Sequence, residues 1–136
     1  MVRLIMGVNG AGKTKKLIEQ VHAAVESENG SVVCIEPNAD MKFDISYNAR
    51  LVNASEYGLT SFESLRGFLC GMYAGNYDIS HVFVDNLCKI VGSDDLHEAE
   101  KLLHWLDRFS EQNAVKFTVT ISGDAESLTD GMKSFL

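Results

Sequence analysis

Residues 7–14 read GVNGAGKT, an ungapped match to the pattern G-x-x-x-x-G-K-[ST]. Each residue type in it has a chemical reason. Gly7, Gly10 and Gly12 let the backbone take positive φ and approach a phosphate with no Cβ in the way. With Asn9 and Ala11 between them, the loop's N–H groups turn inward as an anion nest. Lys13 is placed to reach the β- and γ-phosphate oxygens, where it serves both binding and catalysis. Thr14 is placed to put its hydroxyl on Mg²⁺, and Lys15 extends the basic end of the cradle.

Three further residues carry candidate chemistry. Asp85 closes the apolar run VFVD, so it expects to hold Mg²⁺, directly or through water, opposite Thr14. An Asp that only marks the exit from a strand is the plainer account. Glu36 ends another apolar run, SVVCIE, and is the candidate general base; the plainer account is a solvated carboxylate before a turn. Ser122 ends the run VKFTVTI and stands where a hydroxyl would contact the γ-phosphate or the attacking water. A turn-forming serine before Gly123 explains it equally well, and Thr120 shares its face at a deeper position.

These residues need strands that end together. Residues 2–6 are a short apolar run, and residues 15–28 place Leu17, Ile18, Val21, Ala24 and Val25 on one helical face. Strand, glycine loop and helix is the context that makes the match structural. Asn29-Gly30 stops the helix, and residues 31–36 read as a buried strand ended by Pro37, the only proline. Residues 38–48 are polar and irregular, a long excursion or a hairpin, and residues 50–54 suggest a strand at the sheet edge. Thr60 or Ser61 caps a helix over residues 62–74. A strand follows over residues 81–85, then a helix opened by Asp94 and Asp95 and running to Gln112. A strand over residues 115–121 and a short helix over residues 125–135 complete the order. Alternation of this kind predicts an α/β three-layer sandwich, a mostly parallel sheet of about five strands with helices on both faces. Ligands in such sheets bind beyond the C-terminal strand ends. That edge would hold residues 7–14, Glu36, Asp85, Asn86 and Ser122.

Composition narrows the classes. The 136 residues suit one domain with a sizeable core. No apolar run approaches the length of a membrane span, and the chain enters its first strand with no leader, so a cytoplasmic protein is expected. Net charge is −7, and the only basic cluster, Lys13, Lys15 and Lys16, lies at the glycine loop, which argues against nucleic-acid binding. Cys34, Cys70 and Cys88 form no CxxC pair, and the four histidines have no ligand spacing, so no zinc site is expected.

The motif order resembles the ATP-binding core of P-loop NTPases of the RecA-like, additional-strand branch, over nearly the whole chain. It is similar also to a group of short bacterial ATP-binding proteins, some labelled twitching-motility ATPases. The resemblance implies ATP and Mg²⁺ as cofactors, Asp85 as the Walker B carboxylate and Glu36 as a catalytic Glu on a neighbouring strand. The sequence departs from the branch at Asn86, where a Glu commonly follows the Walker B Asp. An amide cannot take a proton as a carboxylate does. Hydrolysis is then slow, or the base comes from elsewhere. Type II thymidine kinases share the layout, but carry that Glu and a zinc-bearing segment. A GTPase is excluded, because Cys88 stands where a D-x-x-G switch needs glycine and no N-K-x-D motif occurs. Three functions remain: an ATPase or nucleotide switch acting with a protein partner or as a homo-oligomer, a small-molecule kinase, or a nucleotide-binding module of a larger assembly.

Overall fold

The structure, a computed structural model, describes residues 1–7 and 12–136. Five strands form one sheet in the order β1-β5-β4-β2-β3, with every pairing parallel. They are β1 (Val2–Gly7), β2 (Ser31–Glu36), β3 (Ala49–Asn53), β4 (Ile79–Val84) and β5 (Lys116–Ser122). The longer helices are α1 (Lys13–Ser27), α2 (Phe62–Gly75) and α4 (Leu96–Asn113), and the shorter ones α3 (Leu87–Val91) and α5 (Asp130–Lys133).

Both sheet faces carry an apolar cluster, as crossover helices require. On one face Leu17, Val21 and Ala24 of α1 pack on Val32, Cys34 and Phe83. On the other, Leu65 and Leu69 of α2 and Leu102, Leu103 and Leu106 of α4 pack on Val33, Ile35, Val82, Val84 and Val119. Three layers result, the α/β sandwich expected from the alternation. The helix starts follow capping chemistry. Ser61 Oγ accepts from Ser64 N–H at 3.0 Å while Ser64 Oγ accepts from Ser61 N–H at 3.1 Å, a reciprocal box at the start of α2. Asp95 Oδ1 accepts from His97 and Glu98 N–H and opens α4.

Residues 37–48 form turns with no strand, the long excursion of the two expected forms; Glu36 Oε1 accepts from Met41 N–H at 3.0 Å and the Met41 side chain is buried. Two local readings change. The expected C-terminal helix is two short pieces, a 3₁₀ turn at Ala125–Ser127 and α5, separated where Leu128 is extended and buried. The sequence also gave no sign of α3, whose five residues follow Asn86 in the left-handed conformation (φ 56°) and stop at Gly92 (φ 67°).

One buried polar pair lies nearer the start of β4 and β5 than the strand ends discussed below. His81 stacks on Phe83 with ring centres 4.1 Å apart and bonds Thr118 Oγ1 at 2.8 Å. Burial holds its imidazole neutral down to a pKa of about 4, against an ordinary 6.5, with Glu28 opposing. The unfolded chain therefore takes up this proton first, so the stability present above pH 6.5 is lost as pH falls toward about 4. The variant His81→Gln lacks that proton uptake. Its thermal midpoint should lie below wild type near neutrality, and the gap should close toward about pH 5. A gap independent of pH would remove His81 from the acid response.

Candidate functional site

The C-terminal ends of β1, β5, β4 and β2 carry the residues singled out above. Register places Gly7 beside Ser122, and Gly123 N–H donates to Gly7 O at 3.0 Å, so the start of the glycine loop is bound to the end of β5. Gly12 precedes α1 with φ 81°, the left-handed region where a Cβ is strained. Helix α1 then begins at Lys13 with no side-chain cap among the described residues and no acid in its first turn. No acidic side chain of that turn offsets the positive end of the helix dipole. Thr14, Lys15 and Lys16 are exposed on that turn. Asn9, Gly10 and Ala11 of the expected cradle lie outside the described residues.

Lys13 turns inward. It is only 9% exposed, and its Nζ donates to Ser122 Oγ. Asp85, the first residue after β4, is 8% exposed. Its Oδ1 accepts from Thr120 Oγ1 at 2.9 Å, and the same hydroxyl accepts from Asn86 N–H at 2.8 Å. Asp85 N–H is bound to Ile35 O at 2.8 Å, which fixes the end of β4 against β2. Burial pushes the Asp85 pKa up, while the Thr120 hydroxyl and the Lys13 charge hold it down.

β5 organises this cluster by simple alternation. Phe117, Val119 and Ile121 face the larger core, and Thr118, Thr120 and Ser122 face the α1 side. The three hydroxyls bond His81, Asp85 and Lys13 in turn. Ser122 was legible as a site residue. Thr120 was read only as a deeper neighbour, although the spacing T-V-T-I-S already placed a second hydroxyl on that face.

Glu36 is 1% exposed, so the plain account of a solvated carboxylate does not hold. Oε1 accepts from Met41 N–H, while Oε2 is buried with no hydrogen-bond partner among the described residues. Burial raises its pKa; the Met41 and Asp40 N–H groups oppose this, and the Asp40 and Asp85 charges add to it. A buried carboxyl oxygen without a donor is costly and points to a role beyond packing.

The remaining titratable candidates are separate. Cys34 is buried, Cys70 is exposed and Cys88 is half-buried. Burial pushes the Cys34 and Cys88 thiols up, away from reactivity. His97 and His104 are exposed on α4. Among the described residues no group of three or more His, Cys, Asp or Glu side chains could hold a metal ion, and no helix is long and apolar enough to cross a membrane. Compared with known proteins, the sequence matches no family model, and no curated protein matches it.

Proposed function

We propose that this chain binds Mg-ATP at the C-terminal end of its sheet and works as a slow ATPase or nucleotide switch that a partner stimulates. The observation that carries this is the pairing across β5. A buried cation, Lys13 at the start of the fifteen-residue helix α1, and a buried carboxylate, Asp85 at the end of β4, are held by Ser122 and Thr120 of the one strand β5. Cation, carboxylate and helix N-terminus are the complementary parts that a nucleoside triphosphate and its metal require. Strand β5 also lies between β1 and β4, which supports the resemblance to the additional-strand branch of P-loop NTPases.

The donor set suits Mg²⁺. That ion keeps several waters and takes one or two protein oxygens plus phosphate oxygens, so it needs no cluster of three acids. Asp85 and the exposed Thr14 would hold it, and Lys13 with the first turn of α1 would bind the phosphates. When bound, the metal would neutralise phosphate charge and orient the terminal phosphoryl group. Glu36, with a raised pKa and one idle oxygen, has the character of a general base.

Cavity placement favours this reading over a small-molecule kinase. An acceptor must reach the γ-phosphate, and residues 38–57 were the stretch able to build its pocket. Those residues do line a cleft of about 1120 Å³, but Lys13, Glu36, Asp85 and Ser122 are not part of its wall.

The direct test removes the carboxylate. Asp85→Ala should weaken ATP binding far more in Mg²⁺ than in EDTA, measured by calorimetry in both buffers. An equal loss in the two conditions makes Asp85 structural and removes the metal from the proposal.

A further inference from the structure

The sheet has two edges, and they are treated differently. Along β1, Leu4 N–H donates to Phe135 O at 2.7 Å and the Phe135 ring is buried, so the C-terminal segment covers the middle of that edge. No strand pairs with the outer side of β3 among the described residues. Ala49 N–H turns away from β2 and bonds Ser46 O at 3.0 Å. Peptide groups alternate sides along a strand, so the N–H and C=O of Leu51 face the same outer side as those of Ala49. Outward groups of this kind that no strand pairs among the described residues, as at Leu51, are a template for another strand.

The cleft of about 1120 Å³ runs beside this edge, with Ile45, Tyr47, Leu51, Tyr57, Phe68 and Met72 among its wall residues. Tyr47 is 99% exposed, and nearby Phe43 is 88% exposed. Large aromatic surface left in water on one short segment marks an interaction site better than scattered single residues do. The charged residues of the wall are Lys42 and Arg50, both cations, in a chain of net charge −7.

We propose that the β3 edge accepts an extended, acid-flanked segment of a partner protein as a sixth strand. Main-chain bonds to the β3 edge give the affinity, alternate apolar side chains enter the cleft, and Lys42 and Arg50 select acidic flanks. A second copy fits worse. The C-terminal segment bonded to Leu4 obstructs head-to-tail sheet extension through the β1 edge. A two-fold β3 pair centred on Leu51 would set the two Arg50 residues on one face as diagonal neighbours, roughly 7–8 Å apart. Five residues of edge also bury far less than a stable dimer needs, on the order of 1,200 Å². Capture at this edge requires no nucleotide, so it stands or falls separately from the ATP proposal.

Two fluorescein-labelled peptides test it without nucleotide, DEVTVTVED and its basic counterpart KKVTVTVKK. Anisotropy should show saturable binding of the acidic peptide, at least about tenfold tighter than the basic one, the scale of two ion pairs turned from attraction to repulsion. Lys42→Glu combined with Arg50→Glu, both at exposed positions, should reverse that order while leaving thermal unfolding unchanged. Amide hydrogen exchange at Leu51 should slow when the acidic peptide is bound. The proposal is overturned if neither peptide binds, if both bind equally, or if binding leaves Leu51 exchange unchanged. A β3-mediated dimer in sedimentation that the acidic peptide cannot displace would assign the edge to a second copy and overturn it as well.

Discussion

Lys13→Ala should lower affinity for Mg-ATP by about 1.5–3 kcal/mol, roughly 10- to 150-fold, the scale of hydrogen bonds to a charged group. The size of the effect follows from where the ammonium sits. Lys13 is 9% exposed and bonded to Ser122, so its charge acts through protein rather than bulk water. A surface lysine such as Lys15 or Lys16 is screened by solvent and should cost much less when replaced. Lys13 also offsets the burial of Asp85, so its removal favours protonation of the carboxylate proposed to hold the metal. Two losses therefore act in one direction. Calorimetry on the variant, with Lys15→Ala as the comparison, reads both. An unchanged affinity in Lys13→Ala means that the loop does not cradle a triphosphate.

Much of this arrangement was legible in the sequence, and the reasons are local. Strands β2 and β5 were readable because SVVCIE and VKFTVTI are short apolar runs bounded by Gly30, Pro37 and Gly123. α2 and α4 were readable because their apolar stripes carry caps at Ser61 and Asp95. Where structure depends on a buried contact, the sequence said less. The irregular excursion over residues 38–48 was one of two forms expected, and nothing near it announces that a buried Glu36 carboxylate will hold Met41 N–H. The break in the C-terminal segment depends on Leu128 entering the core, which helical periodicity does not express. The proposed site divides in the same way. Lys13 and Thr14 were singled out by the spacing of the glycine loop, and Asp85 by its place at the end of an apolar run. The anchor of Asp85 was not, because Thr120 in the middle of an apolar strand reads as an ordinary β-former until its partner across the sheet is known. Likewise, the burial of Glu36 was invisible to a sequence in which it simply precedes a proline.

The isolated protein should hydrolyse ATP at well below about 1 s⁻¹, the low end of typical turnover. Its proposed site has the parts that bind and position ATP but few that stabilise the transition state. Asn86 occupies the position where the resembled family places a carboxylate, and its left-handed backbone, fixed by the bond from its N–H to Thr120, is set by the fold. The cations that act on Asp85 are Lys13 and Lys89, and neither is an arginine. A finger supplied in trans is worth about 10³–10⁵ in rate, which is the range a stimulating partner would restore. What turnover remains is assigned to Glu36. Oε1 is held by Met41 N–H, Oε2 has no donor among the described residues, and burial keeps the carboxyl more basic than an exposed one. Glu36→Gln keeps the size and the bond to Met41 but cannot take a proton, so it should abolish the residual hydrolysis while leaving Mg-ATP affinity intact. Asn86→Glu returns a carboxylate to the family position and should raise the rate. Its benefit should persist in the Glu36→Gln background, because the new carboxylate replaces the old base. Single-turnover hydrolysis of radiolabelled ATP, with affinity measured in parallel, separates the outcomes. Fast, partner-free hydrolysis by the wild type, unaffected by Glu36→Gln, would show that the base lies elsewhere and that the site is complete without a partner.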